Sequence, residues 1–361
     1  MLDFIGKMLG GRRSNLSVPI LDGVFKPNNL LEQADVVFER SGLEDMALAP
    51  DGTLHLACGT ELLALAADGT ARSVSHFSAV ITALAFLADG RWVVGLGDRV
   101  EIEGGSAPVT EGGGRPFRAI TALSPMRDGR VLVCDGSARH PLDHWQFDLM
   151  DKQPSGRLVA LKPASGEGET LARRLAWPYG AHQDAGGMIL FSESWRHRLR
   201  MAGGGDATAE LPGYPARMTP TGDGGFWLSL FSARMQIVEF VLSEDGFRRD
   251  MMATIDPKYW ISPAYASGED FLEPMQSGGV KQMGILKPWA PPRSYGLAVR
   301  FNADRSPLFS IHSRVGGRNH GVVTTLERGD EVLALSKGAG RVLRLSLESI
   351  RAEYVITGGD Q

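Results

Sequence analysis

The sequence predicts an all-β protein, a six-bladed β-propeller with a helical or irregular cap insertion. Three observations carry this. Glycine is abundant, 45 of 361 residues, against about 7% in ordinary chains, and it follows no collagen period. A turn followed by a short apolar strand recurs along the chain. The turns return about every 40 residues, the spacing of units that hold several strands each.

Taken in order, residues 1–30 read as an N-terminal arm and 31–361 as the propeller. Leu2, Ile5 and Leu9, with Phe4 and Met8, would line one face of a short helix. That end reads as frayed or packed on the body. An interfacial foot, with Arg12 and Arg13 on anionic lipid, is the alternative. Val36-Val37-Phe38 and Arg341–Leu345, from the two chain ends, are expected to pair within one blade. Such pairing closes the ring and removes an open sheet edge. Asp51-Gly52 precedes the strand Thr53–Cys58, Asp89-Gly90 precedes Arg91–Gly95, and Asp128-Gly129 precedes Arg130–Cys134. Asp184–Gly187 precedes Met188–Phe191, Asp223–Gly225 precedes Phe226–Ser229, and Arg328–Asp330 precedes Glu331–Leu335. Asp-Gly is expected to supply the positive φ angles of a tight hairpin, and the β-branched and aromatic residues that follow suit buried strands.

Two stretches break the period. One runs over about 138–155 and contains His140 and His144. The other runs over about 232–293, where Met235–Leu242 and Phe247–Ile255 have helical spacing and Asp245-Gly246 reads as the turn between them. Long insertions on a rigid scaffold form lids or interaction surfaces, and this pair reads as rim and cap.

Composition limits function. The net charge is −4 and the pI about 6.1, so no basic excess exists to neutralise a phosphate backbone, and nucleic acid is excluded as a partner. No run of about 18 apolar residues spans a membrane. Two cysteines, Cys58 and Cys134, make neither a disulfide framework nor a cysteine-based zinc site. The first residues lack the apolar core of a secretory signal. Together these point to the cytoplasm; the oligomeric state stays open. No Gly-x-Ser-x-Gly elbow and no phosphate loop occurs. His140 and His144, four apart, read as rim histidines, because Pro141 interrupts a helix and no third zinc ligand lies nearby. Trp92, Trp195 and Trp227 read as packing between blades. Trp145, Trp260 and Trp289, in the insertions, are the better ligand-stacking candidates.

Several segments carry a resemblance. They are Gly42-Leu43-Glu44-Asp45, Pro154–Leu158, Glu193-Ser194-Trp195-Arg196-His197-Arg198, Leu211–Pro215 with Gly222–Trp227, and Tyr295–Val299. The sequence resembles the strictosidine synthase-like group, within the six-bladed propellers that include gluconolactonases, paraoxonases and diisopropylfluorophosphatase. Fold does not settle function. In the metal-dependent relatives, a tunnel cation is held by a first-blade Glu, two Asn and a fifth-blade Asp. The resemblance keeps the acid at Glu44. It puts Thr121 at the third-blade position, Pro178-Tyr179-Gly180 at the fourth and Pro215-Ala216-Arg217 at the fifth. That set does not fit calcium, so no cofactor and no metal are expected. Instead Arg217, if it turns inward, would take the cation's place and pair with Glu44.

The glutamate used by plant strictosidine synthases falls at Thr324, three residues from Glu327. The resemblance therefore implies an enzyme acting on a small-molecule substrate, with an anionic one among the options. The reaction would be lactone or ester hydrolysis, or a metal-free condensation or rearrangement. Glu44 is the candidate acid/base and His320 a candidate proton shuttle. Thr121, Tyr179, His182 and Arg217 are the candidate substrate-binding groups. The alternative is a non-catalytic propeller that binds a metabolite or protein through the tunnel mouth and cap.

Overall fold

The computed structural model describes residues 18–268, 270–274 and 293–358. The apolar face of residues 2–9, Arg12, Arg13 and Trp289 lie outside these residues.

Six antiparallel sheets follow one another around an axis. Blade one is Leu43–Leu48, Leu54–Cys58, Glu61–Leu65 and Ala71–His76. Blade two is Ala83–Phe86, Trp92–Gly95 and Val100–Ile102, with a Val100–Val109 bridge in place of a fourth strand. Blade three is Ile120–Pro125, Val131–Asp135, Gly156–Leu161 and Gly168–Leu175, and blade four is Ala181–Gln183, Ile189–Glu193, Arg198–Met201 and Asp206–Thr208. Blade five is Gly213–Pro220, Phe226–Ala233, Leu297–Phe301 and Pro307–His312. The last blade combines Val322–Arg328, Glu331–Ser336 and Arg341–Ser346 with Asp35–Glu39. Val36 opposes Leu343 and Phe38 opposes Val342, so the two ends close the ring as the sequence predicts.

The core is divided among the blade interfaces, because each sheet buries both faces against its neighbours. Ala57 and Leu62 meet Leu84, Phe86 and Val94 between blades one and two. Leu190 and Leu199 meet Phe226 and Leu228 between four and five. Leu43, Met46 and Leu56 meet Leu333, Leu335 and Val342 where the ring closes.

The turns differ in detail from the expected hairpin. In Ala49–Thr53, Leu87–Arg91, Met126–Arg130 and Thr221–Gly225, only the glycine takes a positive φ, 82–92°. The Asp ahead of it does not take a positive φ, and its carboxylate accepts from the backbone N–H two residues on. These are three-residue loops with a glycine bulge, in which Asp acts as a side-chain cap.

Both insertions follow the second strand of a blade, so both emerge on the face where the innermost strands begin. They form the cap. A 3-10 turn at Leu142–His144 runs into the helix Trp145–Asp151; the helices Gln236–Ser243 and Asp245–Thr254 meet at Glu244. Asp245 thus begins the second helix instead of forming a turn with Gly246. Trp260 is fully buried, and Trp145 stacks on Trp195 with ring centroids 5.9 Å apart. Both are spent on packing the cap. Trp195 lies in the 3-10 turn Ser194–Arg196, where its Nε1 donates to Asp148 at 2.9 Å.

Candidate functional site

Arg217 lies on the innermost strand of blade five, and its side chain turns inward, 7% exposed. Nη1 donates to the Glu44 carbonyl at 3.0 Å and to the Thr324 hydroxyl at 3.4 Å. Nη2 donates to the carbonyls of Thr82 at 2.7 Å and Thr121 at 2.9 Å. Nε faces Asp45 Oδ2 at 3.2 Å. One guanidinium therefore joins blades one, two, three, five and six. Blade four meets it through packing: a Cβ on Gly180 would lie 2.6 Å from the Arg217 Cα.

Strand irregularities create this geometry. Leu43 opposes Cys58 and Asp45 opposes Ala57, so Glu44 is an extra, unpaired residue; Thr121 is extra in the same way between Ile120 and Ala122. A bulge frees the carbonyl of its extra residue from the ladder, and the carbonyls of Glu44 and Thr121 are two of those that Arg217 takes. The bulge also shifts facing by one residue. Asp45, not Glu44, presents its carboxylate to the axis, so the expected Glu44–Arg217 ion pair is not formed.

Asp45 is buried. Besides Arg217 it accepts from the Thr324 hydroxyl at 2.7 Å and from the backbone of Met46 and Leu84. Burial pushes its carboxyl above the ordinary carboxylate range, opposed by Arg217 and these hydrogen bonds. Burial disfavours the Arg217 cation as well, but Asp45, Tyr179, Glu44 and Tyr265 together outweigh this and raise its pKa.

On the capped side, the Tyr179 ring lies 5.3 Å from the Arg217 guanidinium, and its hydroxyl pairs with that of Tyr265 at 3.0 Å. Lys337 lies 4.7 Å from the Tyr265 ring and ion-pairs with Glu44. Burial holds the Tyr265 hydroxyl well above the ordinary tyrosine value. On the uncapped side, beyond Arg217 and Asp45, a cavity of about 230 Å³ runs between the innermost strands. Its walls are mostly apolar, among them Leu84, Phe86, Leu123, Met218 and Leu326, and Glu327 lies at one side. Glu327 accepts from Trp227 and from Arg300, each at 2.9 Å.

The other predicted residues stand as follows. The Thr121 hydroxyl donates to the Pro178 carbonyl at 2.6 Å, so only its backbone reaches the hub. His182 is buried between blades four and five, 5.1 Å from the Phe226 ring, and neither ring nitrogen has a partner. Burial holds its pKa down at about 4. His320 is buried, with Nδ1 on the Ser294 hydroxyl at 2.7 Å and Nε2 on the Arg314 carbonyl at 3.1 Å; burial lowers its pKa too. The structure thus gathers Glu44, Thr121, Tyr179 and Arg217 around the axis. It leaves the His182 ring packed without a hydrogen-bond partner and His320 bonded to Ser294 and Arg314. His140 pairs with Asp151 at 2.6 Å on the cap rim. Sequence reasoning missed Asp45, Thr82, Tyr265 and Lys337. Thr82 had a signal, since it stands before its innermost strand much as Thr121 stands near the start of the next.

No family model matches the chain. Among curated proteins it is similar to strictosidine synthase-like 6 of Arabidopsis thaliana, 23% identical over 181 residues, 48% of this chain and 46% of that protein. Strictosidine synthase-like 3 of the same plant is 29% identical over 146 residues, 38% and 37% of the two chains. The adipocyte plasma membrane-associated protein of Homo sapiens is 26% identical over 131 residues, 34% and 32%. The matched stretch spans less than half the length of each of these relatives. Among solved structures, a gluconolactonase from Xanthomonas campestris aligns over 86% of this chain and 88% of its own, with TM-score 0.54 and 13% identity. Regucalcin from Agrobacterium tumefaciens, described as calcium-binding, aligns over 91% and 93%, with TM-score 0.50 and 11% identity. Identities this low establish the propeller fold alone. The sequence likeness is to strictosidine synthase-like proteins, as the motifs imply. No helix among the described residues is long and apolar enough to cross a membrane.

The donor set at the hub does not fit calcium. A hard dication needs six to eight oxygen ligands. Here the oxygens that face the axis are the Asp45 carboxylate, the Thr324 hydroxyl and three carbonyls, and a guanidinium already takes them.

Proposed function

We propose that this chain is a metal-independent, small-molecule-binding propeller of the strictosidine synthase-like kind. Its ligand is a compact, largely apolar organic molecule seated in the cavity beyond Arg217. The observation that carries this reading is the engagement of Arg217: each of its three nitrogens already faces an acceptor on the protein. Arg217 therefore works as a structural cation that ties the blades together: both terminal nitrogens are fully engaged, and Nε, which makes no hydrogen bond, is buried against the Asp45 carboxylate. The cavity walls recognise shape and apolar area, and Asp45 and Arg217 close its inner end. The two buried free cysteines accord with a reducing cytoplasm, where we place the protein.

A second reading has its own support. Glu44, Lys337, Tyr265 and Tyr179 meet on the capped side of the axis. This acid, amine and phenol group would serve lactone or ester hydrolysis or a condensation, with Glu44 as acid/base and Lys337 as its ion-pair partner. One experiment separates the readings. A panel of lactones, esters and apolar ligands is tested for turnover and thermal stabilisation, with chelator and with calcium. Ser124→Trp, which narrows the cavity, should abolish stabilisation by apolar ligands. Turnover that Ser124→Trp leaves intact but Glu44→Gln removes would favour the capped side. Strict calcium dependence of either property would overturn both.

A further inference from the structure

On the rim of blade three, away from the axis, four arginines line one pocket of about 350 Å³: Arg115, Arg157, Arg173 and Arg174. No Asp or Glu lines it. Arg157 is committed to the fold. Its Nε pairs with the buried Asp135 at 2.8 Å, and its other nitrogens donate to the carbonyls of Gly112, Arg115 and Pro116. None of the remaining three has a carboxylate to itself. Arg115 reaches the Ser155 carbonyl at 3.2 Å and stays 3.9 Å from Asp135, and its Nε is buried without a partner. No hydrogen bond or ion pair joins the Arg173 or Arg174 side chains to any described residue. Arg157 and Arg115 thus share the one carboxylate of Asp135, and Arg173 and Arg174 have none among the described residues.

The local backbone puts the arginines there at a cost. Gly156 opposes Leu175 and Arg157 opposes Arg173, so Arg174 is the extra residue of a bulge, held at φ +59°. A left-handed arginine is strained, and bulges re-aim side chains. Across the pocket, Gly113 and Gly114 form the tip of the hairpin that carries Arg115. A Cβ on Gly113 would come 2.0 Å from the Thr170 hydroxyl oxygen, so only glycine lets the hairpin approach. Burial, together with the charges of Arg157 and Arg173, lowers the Arg115 pKa; an anion would relieve that repulsion.

We propose that this pocket binds the phosphate group of a soluble phosphomonoester. The planar forks of arginine match tetrahedral oxyanions in bidentate fashion. The volume exceeds what one phosphate fills, leaving room for a small organic moiety. A phospholipid headgroup offers the same chemistry, so the test carries an arm for it. This site is separate from the axial cavity, and its fate does not depend on the function proposed above.

The test titrates the full chain with inorganic phosphate by calorimetry, at fixed ionic strength set with chloride. Saturable binding is expected, and Arg173→Ala/Arg174→Ala should weaken it at least tenfold. Both side chains are exposed and make no bond to described residues, so the double variant should keep the thermal midpoint of the native chain. Arg173→Lys/Arg174→Lys keeps the charge and should recover only part of the affinity. Absence of saturable phosphate binding, or equal affinity in the alanine variant, would overturn the proposal. So would co-sedimentation with phosphatidylcholine vesicles containing phosphatidate when inorganic phosphate itself does not bind.

Discussion

His182 shows what burial without partners costs at the scale of one residue. Packing against Phe226 supplies apolar contact but offers nothing to either ring nitrogen. Its pKa is held at about 4, against an ordinary 6.5, because the charged ring would be stripped of water. The unfolded chain binds the extra proton first. Stability is therefore unaffected above pH 6.5, falls as pH drops through 6.5, and stops falling near pH 4, where the folded ring also protonates. The window is worth up to about 3 kcal/mol. His312, held at low pKa by burial, adds to the same acid lability. His182→Leu keeps the volume and removes the proton-binding site. It should leave the thermal midpoint at pH 7.5 unchanged or slightly raised, and clearly raised at pH 5. Midpoints measured from pH 7.5 to 4.5 check this; parallel pH slopes in the two proteins would refute it.

At the scale of elements, the cap helix Gln236–Ser243 is fastened through Glu239. Its Oε1 lies 3.2 Å from His197 Nε2 and 3.2 Å from Arg234 Nε. Burial alone would raise the Glu239 pKa, but the hydrogen bonds and charges of His197 and Arg234 overcome this and hold it at about 2. A depressed carboxylate contributes stability above its unfolded value of 4.5, and that contribution is lost as pH falls from there toward 2. Glu239→Gln should lower stability at pH 7 by about 2–3 kcal/mol. In urea titrations the gap to the native protein should narrow steadily between pH 5 and pH 3. A gap that stays constant across that range would mean that the ion pairs contribute nothing.

The same scale explains what the sequence could reveal. Asp-Gly turns and alternating strands are local signals, so six blades and their closure were readable from residue order. Bulges are not local. They arise when a strand's neighbour fixes its register, and the bulge at Glu44 exchanged the facing of two adjacent acids. That single slip moved the ion pair from Glu44 to Asp45. Lys337 and Tyr265 lie 72 residues apart in sequence; only the closure of the ring and the fold of the cap bring them together. The inward turn of Arg217 was inferred from a resemblance, while its acceptors come from four other blades brought together in three dimensions.

For the whole molecule, the hub decides how the blades are held. A propeller leaves a tunnel where its innermost strands converge, and bulged carbonyls there point at one another with no ladder partner. Hydrogen-bond donors or a cation must answer them, because unpaired buried carbonyls are costly. Arg217 does so from within the chain. Its removal should expose the latent alternative. Arg217→Asp would empty the hub of its cation and add a second carboxylate beside Asp45, with the carbonyls of Glu44, Thr82 and Thr121 and the Thr324 hydroxyl still facing inward. Six oxygen-bearing groups around a vacated centre suit calcium. The variant should be strongly destabilised in chelator, since two buried carboxylates then repel each other. Calcium at a hundredfold excess over its dissociation constant should restore about 2.7 kcal/mol, while the native protein's thermal midpoint stays unmoved by calcium or chelator. If the native protein responds to calcium, Arg217 is not the hub's cation. If the variant ignores it, the inward carbonyls belong to the arginine's geometry alone.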